Sequence, residues 1–125
     1  MIIDSHVHFG NSLWGDFTPD YLINLIGEDV DFAICSNLEG IDSPVFSGEL
    51  ECNKKMLEIS KDYPKLKPLF VCQPNFMQDI AGARAILENN PEFIGLKIHP
   101  ECMKLPADNE KYDMYLELAR EFKKP

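Results

Sequence analysis

The sequence predicts an α/β fold built from four βα units, and three observations predict it. Apolar, β-rich runs alternate with helical patterns along the whole chain. Such alternation implies a parallel sheet with right-handed crossovers. The 125 residues divide into four units of about 31 each, the same spending as a typical eight-unit barrel of roughly 250 residues. The inner face of the fourth strand is polar and no glycine-rich phosphate loop follows the first, which argues against the doubly wound open sheet this length also permits. The architecture expected is the N-terminal half of a (β/α)8 barrel, one domain over residues 1–125. Its last helix runs into Pro125, where a fifth strand is expected next.

The elements follow in order. Ile2–His8 reads as the first strand and ends at Phe9-Gly10. Thr18 then caps a helix with Pro19 in its first turn. Tyr21, Leu22, Leu25 and Ile26 give it an apolar stripe, and Gly27 stops it. Asp31–Ser36 is the second strand, and Asn37–Gly48 a polar loop. Glu49–Tyr63 is helical and is closed by Pro64. Lys67–Cys72 is the third strand and Asp79–Asn89 the third helix, closed by Asn90-Pro91. Phe93–His99 is the fourth strand and Asn109–Lys124 the fourth helix, with Tyr112, Tyr115, Ala119 and Phe122 on one face.

Composition narrows the function. An apolar fraction of 45% and a charged fraction of 26% are those of a globular domain. Twelve basic against twenty-one acidic residues leave a net charge of −9, which disfavours broad binding to nucleic acid or anionic membrane. No apolar run approaches the roughly 18–20 residues of a membrane helix, and Met1 leads straight into the first strand without a signal-peptide pattern. Cys35, Cys52, Cys72 and Cys102 are widely spaced and form no CxxC. They read as reduced thiols of a cytoplasmic protein.

Two segments carry chemistry. In Asp4-Ser5-His6-Val7-His8, His6 and His8 sit two apart on a strand and so share a face. They lie near its C-terminal end, where parallel α/β proteins build their sites. Paired imidazoles suit a divalent metal, zinc first, or else simply line a solvated mouth. In Gly95-Leu96-Lys97-Ile98-His99-Pro100, Leu96 and Ile98 (with Ile94) pack under the helices while Gly95, Lys97 and His99 face inward. A lysine flanked by apolar residues is depressed in pKa by burial. It can take up carbon dioxide as a carbamate, or pair with Asp4 or a substrate carboxylate, or snorkel to water. His99 touches substrate or caps the strand end. Asp4 stands deeper, as a partner to the site and not a ligand. Phe9, Trp14 and Phe17 are the candidate aromatic rim, with Asn75-Phe76-Met77 beside them; local packing of a long loop explains them equally.

Ile2-Ile3-Asp4-Ser5-His6-Val7-His8 resembles the opening of the amidohydrolase superfamily, in its amidohydrolase-related (type 2) branch. The Tyr63-Pro64 helix end, the third strand running to Pro74, and Gly95-Leu96-Lys97-Ile98-His99-Pro100 are similar to that branch too. The resemblance covers nearly the whole chain. It implies a metal-dependent hydrolase of an amide, ester or lactone, with His6 and His8 as the strand-one metal pair. Lys97 falls at the strand-four position, a carboxylated lysine in binuclear members. His99 and Trp14 are then the candidate substrate contacts. Metal, most simply zinc, lowers the pKa of its bound water to about 7. The branch is similar also to non-oxidative decarboxylases.

The remaining ligands of that family are histidines on strands five and six, and its proton-relaying aspartate lies on strand eight. None of those strands is in this sequence, whose three histidines are His6, His8 and His99. The expectation is an N-terminal half, inactive alone or closed into a pseudo-barrel by a second copy, acting on a small molecule. A non-catalytic, self-associating half-barrel is the second class. A metal-dependent nuclease or phosphoesterase can also open on Asp-x-His-x-His, but Lys97 stands where the nuclease would offer Glu.

Overall fold

The computed structural model describes residues 1–42, 47–76 and 78–125. Its sheet has five strands: β1 (Ile3–Ser12), β2 (Gly15–Phe17), β3 (Phe32–Asn37), β4 (Leu66–Val71) and β5 (Gly95–Lys97). The helices are α1 (Pro19–Ile26), α2 (Glu49–Asp62), α3 (Ile80–Asn89), α4 (Pro100–Met103) and α5 (Asp113–Glu121). The order across the sheet is β2-β1-β3-β4-β5. β1, β3, β4 and β5 pair in parallel, each beside the next in the chain. Among the described residues the strand order does not reverse, so they form no switch point of the doubly wound kind. The sheet is open: the described residues form no closed barrel.

One core explains the arrangement. Val7, Phe9, Ala33, Cys35, Leu66 and Phe70 project from one face of the strands. They meet Leu22 of α1, Met56 and Leu57 of α2, Ala83, Ile86 and Leu87 of α3, and Tyr115 and Leu118 of α5 in one cluster. Burying a side chain of this size is worth about 1.5–3 kcal/mol, so the helices stay on that face. The alternate residues Ile34, Ser36, Leu69 and Lys97 are left for the opposite face.

The α1 signals fold as read. Thr18 accepts from Tyr21 N–H at 3.2 Å, Pro19 opens the helix, and Gly27 closes it at φ +71°. Asp79 caps α3 through Gly82 N–H at 2.8 Å. Leu96 and Ile98 do pack against the helical core. The four cysteines are free, and no helix among the described residues is long and apolar enough to cross a membrane.

Several expectations are corrected. The first strand continues past His8 to Ser12 and turns back through β2 as a hairpin. Phe9 is therefore a strand residue, 2% exposed in the core, and not part of an aromatic rim. Its alternation with His8 sends it under the helices. The loop after β3 holds a 3-10 turn, Leu38–Gly40, and residues 43–46 of it lie outside the described residues. The fourth parallel strand shrinks to Gly95–Lys97, because His99 leaves the sheet to cap α4. The last helix is a 3-10 turn, Glu110–Tyr112, followed by α5. Leu96 N–H, on the outer side of β5, donates to the carbonyl of Pro125 at 2.8 Å.

Candidate functional site

The site forms at the C-terminal ends of β1, β3 and β5. β1 carries one extra residue between Asp4 and Val7 relative to β3: Asp4 stands opposite Ala33, and Val7 opposite Cys35. Bulges of this kind re-aim side chains beside sites. Asp4 lines the same cleft as His6 and His8, but among the described residues it forms no ion pair with Lys97. Asp4 Oδ1 instead accepts from the His6 main-chain N–H at 3.1 Å.

His6 and His8 come together as expected. Their Nε2 atoms are 2.8 Å apart, and the rings meet edge to face at 4.6 Å between centroids. Lys97 arrives from β5, with Nζ 3.3 Å from His6 Nε2. It makes no ion pair among the described residues, so the pairing with Asp4 is not formed. Three nitrogens thus converge, and among the described residues none of them is ion-paired to a carboxylate. Burial pushes the His8 pKa down to about 4, with His6, Lys97 and His99 adding repulsion. Burial also lowers Lys97. His8 is a neutral imidazole at neutral pH.

The donor set suits a soft-to-borderline divalent cation. Two nitrogens on one tetrahedral zinc, each at about 2.0–2.1 Å, stand about 3.3 Å apart. The rings at 2.8 Å need part only slightly to admit one. Among the described residues no three His, Cys, Asp or Glu side chains converge on one point, so the set is two imidazoles plus Lys97.

His99 has a different part. Its Nδ1 accepts from Cys102 N–H at 3.3 Å, capping α4. In the neutral ring the proton is then on Nε2, which makes that atom a donor. Burial first, then Lys97, lowers its pKa, which keeps it neutral.

A cleft of about 650 Å³ opens beside these groups, lined on its polar side by His6, His8 and His99 together with Asp4, Asp42 and Glu101. Leu13, Trp14, Phe17, Leu25, Leu38 and Ile41 make the apolar side. Trp14 and Leu13 form the β1–β2 turn, and Trp14 is 81% exposed. Asp42 holds that turn over the cleft by accepting from Leu13 N–H at 2.9 Å. Gly10 permits it: φ is +106°, and a Cβ there would stand 2.7 Å from Asn37 Oδ1. Of the second rim segment, Asn75 bonds the Met103 carbonyl and Lys111, away from the cleft, and Met77 lies outside the described residues.

Sequence reasoning missed Ser36 and Asp42. Ser36 is 1% exposed, and its Oγ lies 2.8 Å from His8 Nδ1. Its signal was a hydroxyl ending an otherwise apolar strand; Asp42 had no signal of its own. No protein-family model matches the chain, and no curated protein matches it.

Proposed function

We propose that this chain is the metal-binding N-terminal half of an amidohydrolase-type (β/α)8 barrel, a metal-dependent hydrolase of an amide, ester or lactone. The observation that carries the reading is the convergence of His6 Nε2 and His8 Nε2 at 2.8 Å, with Lys97 Nζ 3.3 Å from the first. The sequential parallel order of β1, β3, β4 and β5, with the helices on one face, supports the barrel half of it. His6 and His8 would hold the metal, zinc in the first instance, and it would supply activation of water at neutral pH.

The chain's own residues do the rest. His99 offers its Nε2–H to a substrate oxygen. Leu13, Trp14 and Leu25 bury the apolar body of a small molecule. Lys97, depressed by burial, either gives up its ammonium proton, bonds its nitrogen lone pair to carbon dioxide and releases a second proton to solvent, which would leave a carbamate ligand, or stays charged and neutralises a substrate carboxylate. The latter role also fits a decarboxylase. The free thiols fit a cytoplasmic protein.

A second reading has an observation of its own. Two imidazoles are one ligand short of the three protein ligands a catalytic zinc usually has, which favours a non-catalytic half-barrel that binds metal and self-associates. The test is turnover of generic esters and lactones by the chain with added zinc or manganese. Turnover abolished in His6→Ala and His8→Ala supports the hydrolase. Bound zinc without turnover supports the second reading, and neither binding nor turnover sinks both.

A further inference from the structure

We propose that the cleft selects its ligand by charge: it takes an apolar small molecule that carries an amino group, and turns away the carboxylate of the same shape. The proposal rests on the reading of this cleft as the place of a small molecule, and needs neither metal nor turnover.

Three carboxylates, Asp4, Asp42 and Glu101, line the cleft, and no lysine or arginine is among the described residues that do. None of the three is in an ion pair among the described residues. Asp4 Oδ1 accepts from His6 N–H at 3.1 Å and Asp42 Oδ2 from Leu13 N–H at 2.9 Å. A main-chain amide holds a carboxylate in place without cancelling its charge. Glu101 is exposed, in the first turn of α4. Asp42 and Glu101 lie on one wall, around Cys102, which lines the cleft as well. Burial raises the Cys102 thiol, and the charges of Glu101 and Asp42 both add to the rise.

The apolar side turns these charges into a filter. Leu13, Trp14 and Leu25 line the same cleft and are exposed, so a ligand gains by burying an apolar body there. Its polar substituent then lies near Asp42 and Glu101. An ammonium gains from carboxylates and aromatic rings alike. A carboxylate in the same place meets like charge and loses water without finding a partner. The net charge of −9 adds a field of the same sign. Lys97 stands outside this lining, with Nζ 3.3 Å from His6 Nε2. Of its two roles, pairing with a substrate carboxylate is therefore set aside. The substrate class is then an amine-bearing ester, amide or lactone.

The experiment is a fluorescence titration of Trp14, the chain's one tryptophan, with three ligands of one shape at neutral pH and low ionic strength. They are cyclohexylmethylamine, cyclohexanecarboxamide and cyclohexanecarboxylate. The amine should bind tightest and the carboxylate weakest, with about tenfold between their Kd values. Glu101→Gln combined with Asp42→Asn, which keeps an oxygen for Leu13 N–H, should bring that ratio close to one. Glu117→Gln, on α5 and outside the cleft lining, should leave it as in the wild type. A carboxylate that binds as tightly as the amine overturns the proposal, and so does saturable binding by none of the three. An unchanged ratio in the folded double variant, or an equal fall in Glu117→Gln, overturns it too. The expected order in a chain that turns over no ester or lactone with added zinc or manganese upholds the charge filter and overturns the hydrolase reading instead.

Discussion

Two clusters of polar side chains lie near the C-terminal ends of the parallel strands, and they are built in opposite ways. Around Glu49, at the start of α2, every acceptor is used by the protein. Its Oε2 accepts from Gln73 N–H at 2.7 Å and from the Tyr115 hydroxyl, and its Oε1 accepts from Asp79 N–H at 3.2 Å. Glu49 is 1% exposed, and those bonds tie α2 to the segment after β4, to the start of α3 and to α5. Around His6 and His8, by contrast, nitrogens face one another across 2.8 Å and a lysine adds a third. A carboxylate whose partners are all protein holds a fold together. The Nε2 atoms of His6 and His8 and Nζ of Lys97 instead face one another at the edge of a cleft, the kind of perturbed cluster from which binding sites are drawn.

The largest stability effect falls on the first cluster. Glu49→Ala takes the acceptor from the buried Tyr115 hydroxyl and from the half-buried Asp79 N–H, and leaves the buried Gln73 N–H only its longer, 3.3 Å bond to the Tyr115 hydroxyl, at about 1–3 kcal/mol for each buried group. The expected loss is about 3 kcal/mol or more, read from urea unfolding. A loss near zero would break the comparison. Next is Tyr115→Phe, at about 1–3 kcal/mol. Burial raises the Glu49 pKa, and the Tyr115 bond opposes that rise. A carboxyl raised in the folded state contributes stability below its unfolded pKa and loses it as pH rises through the folded value. Removing Tyr115's hydroxyl raises Glu49 further, so the gap between wild type and Tyr115→Phe should widen from pH 4 to pH 7. A gap independent of pH would contradict this.

In the second region the stability at stake lies in the turn that frames the cleft. Gly10→Ala should cost about 1–3 kcal/mol, because an alanine at φ +106° is strained and meets Asn37; thermal unfolding checks it. The smallest effect is Trp14→Ala, within about 0.5 kcal/mol of wild type, since the side chain is 81% exposed. Trp14 is the chain's one tryptophan. Its fluorescence should shift to the blue when a small apolar molecule fills the cleft, and an unshifted spectrum on saturation would remove Trp14 from the cleft wall.

Local signals made much of this legible. Thr18, Pro19 and Gly27 bound α1, and the two-residue spacing placed His6 and His8 on one side despite the bulge. The fourth strand brought Lys97 to them across 91 positions of sequence. What stayed hidden depends on partners distant in the chain. The bulge is visible only as a shift against β3. The hairpin lacks the Asn-Gly or Asp-Gly turn that marks such a fold, and is held by Asp42 instead. Phe9 and His8 are neighbours whose fates differ by strand parity alone. The shortening of the fourth strand follows from His99 bonding Cys102, a choice between sheet and cap that an apolar run does not announce.

The most direct test of the account is calorimetric titration of zinc into the metal-free chain, beside His6→Ala and His8→Ala. The account predicts one zinc per chain in the wild type and no binding at that site in either variant, with both variants folded. Zinc bound equally well by all three, or by none, would contradict it.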